Sequence, residues 1–326
     1  MNWKKSIAVA LSAVTIMAMV AGCGSNTATN DQKKIGVIQL VEHPSLDAAN
    51  KGFVDGLASK GFKDGQNIKL DQQNAQADQS NLNSIAQRFV SDKKDLVLAI
   101  ATPSAQTMAN ASHDIPIMGT AITDYVTAKL VQSNEHPGGN VSGTSDMTPV
   151  EKEVDLIMAL VPNVKRIGAI YTSSEINSQL QVEKMKAYAA TKGITVVEAT
   201  VSNVNDIQQA ATNLVNQDVQ AIYTPTDNVL ASAMANLAQI TDAAKIPVFA
   251  ADEGMTMTGG VATYSVDYYQ LGYQTGLMAA KVLAGEAKIS DLAIETQKDI
   301  KLTVNEERAK KLGITIPDAL RKDMKQ

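Results

Sequence analysis

Cysteine is almost absent from this chain: of its 326 residues only Cys23 carries a thiol. No intramolecular disulfide can form, and no cysteine-based zinc site is possible. Histidine is scarce at three, too few to suggest a metal cluster. Blocks of positive charge are missing as well. The 29 basic residues are scattered against 34 acidic ones for a net charge of −5, which argues against a nucleic-acid partner. At 44% apolar and 19% charged, the composition excludes wholesale disorder, collagen-like repetition and a multi-span membrane protein. Nucleotide and hydrolase signatures are also lacking: no G-x-S-x-G elbow, no G-x-x-x-x-G-K-[ST] loop and no H-E-x-x-H helix occurs. Leu40-Val41-Glu42-His43-Pro44 stands where a dinucleotide loop would follow the first strand. No enzyme activity and no cofactor is expected, and a hydrolase built on His43 and Glu42 is the rival to test by turnover.

What is present begins at the first residues. Lys4 and Lys5 precede an apolar run from Ile7 to Ala21 that ends in Val20-Ala21-Gly22-Cys23. The run is shorter than the ~20 residues a bilayer crossing needs. Its small-small-Cys ending resembles a bacterial lipoprotein signal, with residues 1–22 removed and Cys23 lipidated. Cleavage would take Lys4, Lys5 and the single tryptophan, Trp3, leaving 27 basic against 34 acidic side chains. Residues 23–33 are small and polar and read as a flexible tether to the membrane.

From Lys34 short β-rich apolar runs alternate with amphipathic stretches, the pattern of α/β folds with parallel sheets. Strands are expected at Ile35–Val41, Ile68–Gln73, Leu96–Ala101 and Pro116–Ile122. The order then repeats at Arg166–Thr172, Thr195–Val201, Ala221–Thr224 and Pro247–Ala251. Punctuation repeats with it: Ile35-Gly36-Val37 answers Ile167-Gly168-Ala169, and Ile100-Ala101-Thr102-Pro103 answers Ile222-Tyr223-Thr224-Pro225. Two similar lobes, each a doubly wound parallel sheet, explain this spacing. Crossovers are expected at Val141–Met147 and Asp252–Gly260. The first lobe would be 34–143 with 253–287, and the second 144–252 with 288–326.

In open parallel sheets ligands sit beyond the carboxyl ends of the strands, here in a cleft between facing lobes. Thr102-Pro103-Ser104-Ala105 ends one strand and opens a helix, so Thr102 is an expected N-cap and the free N–H groups after it can hold an anion. Asp227-Asn228 and Asp252-Glu253 can neutralise an ammonium group, with helix capping or hinge bonding as the rival role. Glu42 and Asn177 join the candidates. Tyr125, Tyr171 and Tyr223 fall near strand ends where a planar ligand could stack, or pack as core.

With these features in place, the chain after Lys34 resembles solute-binding lipoproteins of ABC importers that have the type I periplasmic-binding fold. It is most similar to the tryptophan/aromatic amino-acid binding branch. The resemblance is carried by Gln39-Leu40-Val41-Glu42-His43-Pro44-Ser45, Thr102-Pro103-Ser104-Ala105-Gln106, Thr224-Pro225-Thr226-Asp227-Asn228 and Ala251-Asp252-Glu253-Gly254. It implies a ligand α-carboxylate held at Thr102, Ser104, Ala105, Ala121 and Thr123. Asp227, or else Asp252 or Glu253, would meet the ammonium, and Ser45, Pro103 and Asn228 complete the set. It further implies a membrane permease as partner, hinge closure around the ligand, and a monomer. A sugar or nucleoside ligand and a sensory role are the alternatives.

Overall fold

The computed structural model describes residues 32–324; the expected signal peptide, Cys23 and the tether up to residue 31 lie outside them. The first lobe opens with β1 (Lys33–Gln39), α1 (Pro44–Ser59), β2 (Ile68–Asn74), α2 (Gln79–Ser91), β3 (Leu96–Ile100), α3 (Thr102–Ala111), β4 (Ile117–Ile122) and β5 (Val141–Ser145). The second runs through α4 (Val150–Leu160), β6 (Arg166–Thr172), α5 (Ile176–Thr191), β7 (Thr195–Val201), α6 (Ile207–Val215), β8 (Ala221–Thr224), α7 (Asn228–Ser232), α8 (Met234–Ala243), β9 (Val248–Ala250), α9 (Glu253–Gly259) and β10 (Ala262–Ser265). Then follow α10 (Tyr268–Leu283), β11 (Glu295–Thr296), β12 (Lys301–Val304) and α11 (Glu306–Lys311).

Strands β3 and β4 are buried along their whole length, as parallel strands covered by helices on both faces must be. They belong to a six-stranded sheet of order β11-β5-β4-β3-β1-β2. Its pairs run parallel. The second lobe holds β7-β6-β8-β9, also parallel, with β10 and β12 paired antiparallel beside it. Helix α2 shows how the sequence makes its elements. The Asp78 carboxylate accepts the Asn81 N–H at 2.8 Å, and Leu82, Ile85, Ala86 and Phe89 then fall on one buried face.

The lobe boundaries differ from the expected ones. Val141–Ser145, read as a crossover, is the buried strand β5. Its hydroxyls are satisfied inside the protein: Ser142 Oγ donates to the Leu292 carbonyl at 2.7 Å, and the Thr144 and Thr275 hydroxyls lie 2.8 Å apart. Asp252–Gly260, the other expected crossover, is a capped helix instead, because the Asp252 carboxylate accepts the Met255 N–H at 2.7 Å. Met255, Val261, Ala262 and Tyr264 pack in the second lobe's cores, so the chain returns to the first lobe at 266–267 and not at 253. Residues 294–296 still belong to the first lobe, where Ile294 is core and β11 pairs with β5. The connections between lobes are therefore 146–149, 266–267 and 297–300, and of the expected 288–326 only β12, α11 and the residues after them lie with the second lobe.

Helix α10 seats the returning chain. Gly52 and Gly56 on α1 face Gly272 and Gly276 on α10, and a Cβ at Gly272 would lie 1.8 Å from the Ala49 carbonyl oxygen. The backbones approach as closely as glycine alone allows.

Candidate functional site

The carboxyl ends of β3, β4, β8 and β9 meet across the gap between the lobes. Direct hydrogen bonds span it. Ser45 Oγ donates to Asp252 Oδ1 at 2.8 Å, the Thr123 and Thr226 hydroxyls are 3.0 Å apart, and His43 Nε2 lies 3.5 Å from Asn228 Oδ1. His43, Ala121, Asp146, Thr226, Asp252 and Tyr268 border a cavity of about 10 Å³, so the lobes are shut upon one another.

On the first-lobe side the backbone is strained where it matters. Ala101 and Ala121, at the ends of β3 and β4, have φ of 79° and 55°, a conformation that costs a non-glycine residue ~1 kcal/mol or more. Ala101 is the N-cap of α3, and Thr102 and Pro103 are its first helical residues. Thr102 therefore does not cap the helix, contrary to expectation. Its hydroxyl and that of Ser104 are buried without a hydrogen-bond partner among the described residues, beside the first N–H groups of a ten-residue helix. Buried polar groups are nearly always paired, so these two hydroxyls leave hydrogen-bonding capacity unspent where the first N–H groups of a helix also point, an arrangement that suits an anion. Thr224, the equivalent position in the second lobe, also keeps an orphaned hydroxyl.

The acids sort by how their oxygens are used. Asp227 is saturated: Oδ2 accepts Thr172 N–H at 2.6 Å and Ser178 Oγ at 2.8 Å, while Oδ1 accepts Thr172 Oγ1 at 2.7 Å and Leu230 N–H at 3.0 Å. It caps α7 and holds β6 to it, so the capping role is the one the geometry supports. Asp252 caps α9 and bonds Ser45. Asp146, which no sequence motif marks, differs. Its Oδ2 accepts the Tyr268 hydroxyl at 2.8 Å, and its buried Oδ1 has no partner. Burial pushes its pKa up to about 6, against the pull of the Tyr268 and Thr123 hydroxyls. Burial, and then the charge of Asp227, push Glu175 up as well, while its oxygens accept from Asn228 and Asn177. Burial lowers the pKa of His43, partly countered by Asp252. No lysine or arginine borders the cavity.

The remaining candidates divide. Ser45, Thr123, Asn177 and Asn228 are buried at the lobe contact, and Asn177 Nδ2 donates to the Thr226 carbonyl at 2.8 Å. Ala105 is buried in α3, and Pro103 is half-buried beside a larger recess of about 440 Å³ at the cleft edge. Glu42 is exposed, and Glu253 lines a pocket on the hinge side with Ser265 and Asp267; neither joins the cluster. Tyr125 and Tyr223 are core, and Tyr171 donates to Glu198 at 2.8 Å, so the tyrosine at the site is Tyr268. Asp146, Glu175, Thr226 and Tyr268 had no periodicity or spacing to announce them. They converge only once three separate connections are folded together.

A sequence profile of the ABC transporter substrate binding protein family matches residues 34–326. Among curated relatives, the tyrosine-binding protein of Clostridioides difficile (strain R20291) is 44% identical over 322 residues, covering 95% of this chain and 93% of its own. A Streptococcus pneumoniae ABC domain solved in complex with L-Trp is 43% identical, covers 90% of this chain and 99% of its own, and superposes with a TM-score of 0.87. The ligand-free, open structure of a Clostridium difficile substrate-binding protein with adhesive properties is 46% identical, with coverage of 90% and 98%, yet its TM-score is 0.67. At nearly equal identity, this chain superposes more fully on the L-Trp complex than on the open structure.

Proposed function

The chain belongs to the ABC transporter substrate-binding protein family, and from that premise we propose that it captures a free aromatic amino acid, tryptophan or tyrosine, for an importer. The observation that carries the reading is the polarity of the closed cleft. Orphaned hydroxyls of Thr102 and Ser104 lie at a helix N-terminus on the first lobe, while carboxylates and no cation border the cavity. A zwitterion satisfies both ends: its carboxylate docks at Thr102 and Ser104 with the strand ends at Ala121 and Thr123, and its ammonium docks on Asp146 with Asp252 beside it. The ligands printed for the two similar proteins, tyrosine and L-Trp, support an aromatic side chain.

Binding then shifts an open–closed balance. A ligand favours closure only through contacts that both lobes supply together, and the Ser45–Asp252 and Thr123–Thr226 bonds are made only in the closed form. The protein works outside the cytoplasm, held to the membrane through lipidated Cys23, and passes its cargo as a monomer to a permease.

Titration calorimetry with L-tryptophan, L-tyrosine, tryptamine and indole-3-acetate tests the reading. The amino acids should bind, and each truncated analogue should bind at least ~10–100-fold more weakly, the worth of a lost charge-assisted hydrogen bond. Tryptamine binding as tightly as tryptophan, or heat only from sugars or nucleosides, would remove the zwitterion from the account.

A further inference from the structure

At the end of the first lobe opposite the cleft, the N-terminal edges of β1, β2 and β3 carry an unusual charge distribution for a net acidic chain. Lys60, Lys63, Lys69 and Lys93 are exposed there, and none has an ion-pair partner among the described residues. The neighbouring acids are already engaged within the lobe. Asp71 takes Lys94 at 2.6 Å and Arg88 at 3.0 Å, Asp95 takes Lys33 at 3.6 Å and the Lys34 N–H at 2.7 Å, and Asp64 accepts the Leu70 N–H at 2.8 Å. Asp64 and Asp92 are exposed at this corner as well, Asp92 pairing with Lys94 at 3.4 Å, so the outward face is net positive, with four unpaired lysines against these two acids.

The chain enters the fold at this corner. Lys33 opens β1 and pairs in register with Ile68, next to Lys69. Nine residues separate Cys23 from Lys33, and they span at most about 30 Å when fully extended. We infer that this lysine corner docks on the anionic phospholipid headgroups of the membrane in which the protein is anchored. The inference rests on the lipid anchor at Cys23 proposed above. Two features favour a lipid surface over a soluble polyanion. The tether holds the corner near the leaflet at all times, and a single lipid anchor with a basic patch is the pairing that makes membrane contact persistent. The attraction acts within a Debye length of about 8–10 Å, so it must be salt-sensitive. Because the binding residues lie at the carboxyl ends of the same strands, docking leaves them free.

The full lipidated protein provides the test. Lys63→Cys introduces a thiol for an environment-sensitive dye, Cys23 being blocked by its lipid, and Val204→Cys places the same dye on an exposed position of the second lobe. Each is bound to vesicles of phosphatidylcholine alone or mixed with phosphatidylglycerol, and quenched with acrylamide. The label at 63 should lose most of its quenching on the mixed vesicles at low salt and regain it in high salt, while the label at 204 stays unchanged. Adding Lys60→Gln, Lys69→Gln and Lys93→Gln should restore full quenching at 63, with Tm and tryptophan binding unaltered. A label at 63 quenched equally on both vesicle types overturns the docking face alone. Failure of the protein to float with either vesicle population overturns the anchor itself.

Discussion

Asp146 is pulled in opposite directions by folding and by binding. Without a cation its buried carboxyl holds its proton up to about pH 6, well above the ~4 of an unfolded chain. Between those values the folded protein binds a proton that the unfolded chain has released, so this contribution to stability is complete below about pH 4 and is lost as pH rises through about 6. Ammonium capture needs the ionised form, so affinity should rise over the same interval. Asp146→Asn therefore makes a paired prediction. Tryptophan affinity by calorimetry at pH 7.5 should fall ~10–100-fold. The ligand-free variant should melt with the parent near pH 4 but on the order of 5 °C above it at pH 7; a variant that melts lower at pH 7 would show that Asp146 is paired within the protein. Asp227→Ala should behave differently, because its four buried donors would be left unpaired, at a cost of about 3 kcal/mol or more, visible as a lowered urea midpoint before any ligand is added. The contrast marks the limit of sequence reading at this scale. Asp227 follows a Thr-Pro turn at a strand end and looks like a ligand contact, while Asp146 sits in a Ser-Asp-Met stretch with no pattern. Which oxygen is left over is a property of folded neighbours.

Elements were legible wherever one local rule sufficed. Arg166–Thr172, Thr195–Val201 and Ala221–Thr224 form to the residue as expected, because apolar periodicity and flanking glycines act within a few positions of the chain. Strand β5 escaped because Val-Ser-Gly-Thr-Ser is a buried strand whose hydroxyls find partners up to 150 positions away, and α9 because its Gly-Met-Thr-Met-Thr run reads as a loop until Asp252 caps it. The Gly-x-x-x-Gly pairs of α1 and α10 are a case where spacing has an energetic consequence. Gly272→Ala drives a methyl into the Ala49 carbonyl, backbone against backbone, and should cost several kcal/mol, on the order of 10 °C in Tm. Gly285→Ala enters open space at a φ of 74°, so only the left-handed backbone penalises it, by about 1 kcal/mol. Melting curves that rank the two equally would refute the close packing.

At the scale of the whole molecule, the three connections and the lobe-to-lobe bonds determine how much of the ligand's binding energy goes into closure. Ser45–Asp252 joins α1 of one lobe to the cap of α9 in the other, and Thr123–Thr226 joins the ends of β4 and β8. Each bond is worth about 1 kcal/mol net, more for the one to a carboxylate, and neither can form in an open molecule. Removing both by Ser45→Ala with Thr226→Val, which leaves the proposed carboxylate contact of Thr123 in place, should destabilise the closed form by roughly 2 kcal/mol, a factor of about 30. The tryptophan concentration needed to compact the molecule, followed as radius of gyration by small-angle X-ray scattering, should rise by about that factor, since a ligand that selects the closed form must supply what the bonds no longer do. A lowered calorimetric affinity with compaction at an unchanged fractional saturation fits this coupling. Compaction at the parent's tryptophan concentration would mean that the ligand alone closes the lobes, and that the polar bonds between them follow closure without driving it.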